Sequence, residues 1–308
     1  MIFGKEIWVD GFRKPHIPLI FDMETADPDD ILCLAILVSH PACDLKAITL
    51  HPGSHEQVGL VSSILQIVGR DKIPIGGKIN GHLKSCVSPF YGRFHPWPVK
   101  PEIEADDLLI KTIRENPDIT LITGAALTNI WKAMKKDETL ELKRWVGQGG
   151  FAGDNIVPEE KRLEKFRGKT HCPTYNFNGN PVAAKYLLES ERIERKILVS
   201  KNICHGVVYD KEFQEKLTPF INRYVGLIFI QDVMDDYLKK HEGKMFHDPL
   251  AGLVAIDESI CEFEKNVVLE RVQGGWGCKK VEKSNIQISI DVDRKKMFDT
   301  LIAERFFL

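Results

Sequence analysis

Residues 18–38 read "PLIFDMETADPDDILCLAILV". An apolar run meets a turn in which five of the nine residues 22–30 are carboxylates, and a second apolar run follows at once. The first run is short and ends in a polar turn, as a buried strand does. The second is long enough for a helix, and Asp27 and Pro28 stand where a helix start places a cap and a proline. Strand, tight turn and helix is the opening of a βαβ unit, so these residues predict an α/β fold.

Further strands are expected at "DLKAITL" (44–50), "ITLITG" (119–124), "RWVGQGG" (144–150) and "KILVS" (196–200). Between them, 55–70 and 127–136 carry apolar residues three and four apart, and "NPVAAKYLLES" (180–190) opens with a helix-start signal. The alternation predicts a mostly parallel, Rossmann-like central sheet flanked by helices, in a single domain over residues 1–308. In such a sheet ligands lie beyond the carboxyl ends of the strands, which places the acidic turn, "TGAALTN" (123–129) and "GGFAGDN" (149–155) on one edge. After residue 210 we expect a long helical stretch at 220–241, a helix at "HDPLAGLVAID" and a strand pair formed by "CEFEKNVVLERV" and "NIQISIDVD". A closing amphipathic helix is expected from residue 294.

Composition narrows the partners. The 308 residues are 43% hydrophobic and 28% charged with a formal charge of −2, which gives no electrostatic reason to expect nucleic acid or an anionic membrane. Seven scattered cysteines without a C-x-x-C pair predict free thiols in a reducing compartment. The N-terminal stretch has no continuous apolar segment, so the expected location is the cytoplasm.

The acidic turn is pinned between two apolar runs, so its carboxylates repel one another near the core. Capping of the following helix by Asp27 or Asp29 explains one or two of them. The rest call for a cation, and a donor set made only of oxygens points to calcium or magnesium. Further donors are expected from Asp248 in "HDPLA" (247–251) and from the Thr123 carbonyl.

The sequence resembles the inosine–uridine nucleoside hydrolase family, enzymes that cut the N-glycosidic bond between ribose and a base. The motifs that carry the resemblance run in order through "DMETADPDD", "TGAALTN", "GGFAGDN", "YNFNGNPVAA", "HDPLA" and "NIQISIDVDRKKMFD". By position, the resemblance implies Ca2+ held by Glu24, Asp30, Asp248 and the Thr123 carbonyl. It implies ribose held by Asp29, Asn155, Asn176 and Asp248, with Asp22 supporting the cluster. It also implies a small nucleoside or nucleotide substrate and a homodimer or homotetramer. Glu24 is the candidate general base and His247 the candidate acid for the leaving base. Tyr224, Tyr237, His51, His82 and His95 are weaker candidates for that acid.

Several positions depart from the family pattern. Glu24 stands in place of an Asp and its loop is one residue longer, which makes Asp27 a competitor for the ligand role. Thr174 sits at a ribose-site position where a carboxylate is expected, and "LHPGSHEQ" (50–57) replaces the usual turn after the second strand. The stretch between Asn155 and Asn176 is long and holds Lys161, Arg162, Lys165, Arg167 and Lys169, which we expect to fold over the pocket toward a 5′-phosphate or another anion. Two other readings stay open on the residues alone. One is a metal-dependent phosphatase resembling the haloacid-dehalogenase type with Asp22 as nucleophile; the other is a ribose-binding protein without turnover.

Overall fold

The computed structural model describes residues 8–9, 12–13, 16–80, 86–94 and 97–306. Its centre is a nine-stranded sheet. We number its strands along the chain: β1 Ile17–Met23, β2 Cys43–Leu50, β3 Ile75–Gly77, β4 Ile103–Glu104, β5 Thr120–Thr123, β6 Leu142–Gln148, β7 Ile193–Val199, β8 Cys261–Lys265 and β9 Ile286–Val292. The spatial order is β8-β9-β7-β6-β5-β1-β2-β3-β4, parallel throughout except for the antiparallel pair β8 and β9. The fold is one α/β domain, as expected.

Side-chain alternation explains why helices cover both faces. On β1, Leu19, Phe21 and Met23 enter the core formed with helices Pro28–Ser39, Val225–Tyr237 and Asp248–Ile256, while Ile20 enters the opposite core with Ala105–Glu115, Thr128–Lys136 and Pro181–Glu189. All four side chains are fully buried, and each contributes about 1.5–3 kcal/mol by leaving water.

The chain leaves β1 toward β2 and later returns to its other side as β5, so the topological switch lies between β1 and β5. At the carboxyl ends of these two strands stand Asp22 to Glu24 and Thr123 to Gly124. A crevice must open there, because the connections from the two strands diverge to opposite sides.

Three local expectations change. The helix expected at 220–241 divides into a 3-10 turn Thr218–Arg223 and a helix Val225–Tyr237. "CEFEKNVVLERV" is two strands, broken at Asn266, whose φ is +53°. Cys261–Lys265 pairs with β9 as expected, whereas Val267–Val272 forms a hairpin with Gly275–Lys280. The closing helix is Arg294–Leu301, stopped by Ala303 at φ +52°. No helix among the described residues is long and apolar enough to cross a membrane.

Candidate active site

The crevice holds a cavity of about 340 Å³ lined on one side by Glu24, Asp27, Asp29, Asp30 and Asp248. The acidic turn and residues 247–248, far apart in the chain, are joined through Asp29. Its Oδ2 accepts the backbone N–H groups of His247 and Asp248, each at 3.0 Å, at the start of helix Asp248–Ile256. Such unsatisfied first-turn amides favour an anion. Its Oδ1 lies 3.1 Å from Lys244 Nζ, which also reaches Asp27 Oδ1 at 2.6 Å. Asp27 occupies the N-cap position of helix Pro28–Ser39, and its N–H donates to Asp30 Oδ2 at 3.1 Å.

One lysine does not balance five carboxylates. Burial, followed by the charges of Asp27 and Asp29, pushes Glu24 up to about 7. Asp27 is also raised, by burial and then by Asp29, although Lys244 touches it. Asp30 and Asp248 are held well above the usual carboxylate range, first by burial and then by their acidic neighbours. These shifts mean that the cluster cannot ionise fully without more positive charge. Asp248 Oδ2 is buried without a hydrogen-bond partner. Its approach is so close that a Cβ on Gly124 would lie 2.0 Å from it.

Oxygen-only donors, raised carboxyls and this orphaned oxygen fit a hard divalent cation. As they stand, no three His, Cys, Asp or Glu side chains among the described residues are gathered for a metal. Two of the five carboxylates are turned to Lys244. Thr123 ends β5 beside Asp22 and Gly147, and its hydroxyl accepts the Trp145 indole N–H at 2.9 Å. Thr123 itself is not part of the cavity lining, which its neighbour Gly124 joins.

Asp22 takes the supporting place. It is fully buried, with Oδ1 accepting from Thr49 Oγ1 at 2.7 Å and from Asn129 Nδ2 at 2.8 Å. Burial raises it to about 7. Asp22 does not line the cavity, which removes it as the nucleophile of the phosphatase reading.

The lining also includes Gln148, Thr174, Tyr175, Asn176, Lys201, His205 and His247. Asn176 donates to the Gln148 carbonyl at 3.1 Å and to Gln148 Oε1 at 2.8 Å, leaving its own Oδ1 as an acceptor. His247 Nδ1 lies 3.1 Å from Cys204 Sγ, and its ring meets His205 edge-on at 4.8 Å. Burial and then the Lys244 charge hold His247 down to about 4, so it is neutral at pH 7.

Other expected residues are elsewhere. Asn155 is exposed and donates to the Cys278 carbonyl at 2.8 Å, outside the cavity lining. The Val267–Lys280 hairpin draws it away from the position expected at the ribose. Tyr224 donates to the Leu301 carbonyl at 2.6 Å, and Tyr237 stacks on His241, so both serve packing. His51 does not line the cavity, and His82 and His95 lie outside the described residues.

The basic segment folds onto itself. Arg162 holds the Asp154 and Val157 carbonyls, Arg167 pairs with Glu164, and Lys161 pairs with Glu262. Lys165 alone reaches the site, with Nζ 2.7 Å from His205 Nδ1. Lys201, His205, Gln148 and Lys244 were not singled out from the sequence. Lys201 and Gln148 had one available signal, their place at or just past the carboxyl end of a strand. Lys244 had only its position three residues before His247.

Carboxylates, amide side chains and two histidines thus surround one crevice at the switch point of the sheet, an arrangement suited to a hydrolase. The chain matches the inosine-uridine preferring nucleoside hydrolase family over residues 19–299 and belongs to that family, as an N-ribosyl hydrolase. It is similar to the pyrimidine-specific ribonucleoside hydrolase RihA of Citrobacter koseri, with 23% identity over 94% of this chain and 97% of the relative. Among solved structures it resembles a purine-preferring ribonucleoside hydrolase from Gardnerella vaginalis, with a TM-score of 0.69 and 17% identity over 94% and 98% of the two chains. It also resembles an inosine-uridine preferring nucleoside hydrolase from Bacillus anthracis, with a TM-score of 0.69 and 15% identity over 95% and 100%.

Proposed function

We propose that this protein hydrolyses a ribonucleoside to ribose and free base, with Ca2+ in the acidic crevice. The carrying observation is the convergence of five carboxylates on one cavity with Asp248 Oδ2 left unpartnered. Glu24, Asp30, Asp248 and the Thr123 carbonyl would hold the ion. Its chemistry would be to bind ribose hydroxyls and acidify a water.

The chain's own groups do the rest. Asp29 is held rigidly by two amides and Lys244, and Asn176 is held by Gln148, so both present fixed partners to ribose hydroxyls. Fixed partners favour one ring geometry, which an oxocarbenium-like transition state requires. Glu24, at the cavity wall, accepts the proton of the attacking water. With Nδ1 occupied by Cys204, His247 turns Nε2 to the departing base as a neutral hydrogen-bonding group. Tyr175 is 74% exposed at the cavity rim and offers a flat face to that base.

The test is chromatographic release of free base from purine and pyrimidine nucleosides by chelated protein, then with calcium restored. Release should fall by roughly tenfold or more on chelation and return with calcium. Undiminished release in chelator would remove the metal from the reaction. Absence of release from every nucleoside would remove the activity.

A further inference from the structure

The same cavity that holds the carboxylates is also lined by Thr174, Lys201 and His205. We propose that Thr174, Lys201 and His205 form a subsite for an oxyanion, so that the preferred N-riboside carries a phosphate or a carboxylate. The inference rests on the N-riboside reading above.

The groups at this end can donate and are short of acceptors. Lys201 Nζ gives one N–H to the Pro173 carbonyl at 2.8 Å, and two remain. The ammonium of Lys165 can only donate, so at 2.7 Å it makes His205 Nδ1 an acceptor and leaves the ring proton on Nε2. Thr174 is 3% exposed and lines the cavity, yet its Oγ1 has no hydrogen-bond partner. A buried hydroxyl left unpaired is costly and calls for a partner, which a ligand in the cavity can supply.

The charges are equally uncompensated. No carboxylate pairs with Lys165 or Lys201 among the described residues, while Lys161, Arg162 and Arg167 of the neighbouring segment all have acidic partners. The Lys201 ammonium in the lining, with Lys165 behind His205, suits an anionic ligand better than a neutral sugar or base. A phosphate or carboxylate accepts from both kinds of donor and neutralises the repulsion. A Glu or Asp at position 174 would oppose this, and the chain has Thr there.

The experiment uses the calcium-loaded full chain and compares kcat/KM for base release from uridine, inosine, their 5′-monophosphates and orotidine, which bears a carboxylate on its base. An anionic compound should exceed its neutral parent by roughly tenfold or more. Lys201→Gln should abolish the advantage and Lys201→Arg should keep it. A gain confined to the 5′-monophosphates assigns the subsite to phosphate on the sugar, and a gain confined to orotidine assigns it to a carboxylate on the base. Equal rates for neutral and anionic compounds, or an advantage that survives both Lys201→Gln and Thr174→Val, would overturn the proposal. Calorimetric binding of ribose 5-phosphate and ribose separates this from the hydrolase reading. Tighter, Lys201-dependent binding of the phosphate without any base release would sink the activity and keep the subsite; equal binding without release would sink both.

Discussion

Replacing Lys244 with Met tests how the acidic crevice is held when no metal is bound. The Lys244 side chain is 8% exposed, 2.6 Å from Asp27 and 3.1 Å from Asp29. At an effective dielectric of about 20 each contact is worth roughly 5 kcal/mol before desolvation is subtracted. Asp27 is half-exposed and can turn to solvent, so its loss is small. Asp29 cannot follow, because its other oxygen is tied to the amides of His247 and Asp248. Breaking a buried pair from one side costs about 3–5 kcal/mol, and the single tied partner places this variant near 3. Urea unfolding at pH 7.5 in chelator should show that loss. Lys244 also repels a cation, so the variant should bind calcium roughly tenfold more tightly, and saturating calcium should return about 1.4 kcal/mol more stability to it than to the wild type. A loss in chelator below about 1 kcal/mol, or weaker calcium binding, would refute the view that this lysine neutralises the cluster.

Gly124→Ala should displace Asp248 through the 2.0 Å approach of the new Cβ and lower base release by roughly 100-fold with the far-UV spectrum preserved. Asn176→Ala should raise KM by roughly tenfold, because Asn176 lines the cavity, whereas Asn155→Ala should leave KM within about twofold; the reverse order would restore the sequence expectation for Asn155. Buried His40 donates from Nε2 to the Thr300 carbonyl and accepts the Ala42 N–H, and burial lowers its pKa to about 4. The unfolded chain therefore takes up this proton as pH falls through the ordinary value near 6.5 while the folded chain does not, so about 3 kcal/mol of stability is lost between 6.5 and 4. Urea midpoints measured across that range should flatten in His40→Gln, and an unchanged slope would locate the dependence elsewhere.

The fold was legible because each parallel strand is a short apolar run ending in a polar turn, and the order of those runs sets the switch between β1 and β5. The acidic half of the site was legible for the same reason: Glu24, Asp29, Asp30 and Asp248 sit directly at strand or helix ends, where repulsion marks them. Asn155 was misplaced because the turn of its captor hairpin went unread. Gln273 and Gly274 both have positive φ, 48° and 83°, the geometry of a tight two-residue connection. Once that hairpin forms, its Cys278 carbonyl takes the Asn155 amide. The donor half was hidden because Lys201 and His205 begin and cap one short helical turn while Lys165 lies in a distant 3-10 turn, and nothing local distinguishes them from solvated surface side chains. The basic segment was overread for the converse reason, since Lys161, Arg162 and Arg167 pair with carboxylates and only Lys165 reaches the site, through His205.

Asp29 joins residues 218 and 219 positions further along the chain. On the ribosome, at about 5–20 residues per second, that separation means the acidic turn waits roughly 10–40 s for its lysine and its two amides. During that interval its carboxylates have only protons, water or a free cation to quiet them, and β1 must pair with β2 beside an uncompensated turn. Ligand capture thus reports that the last quarter of the chain has arrived and docked, and nascent chains ending before Lys244 should be the ones that proteases and chaperones recognise.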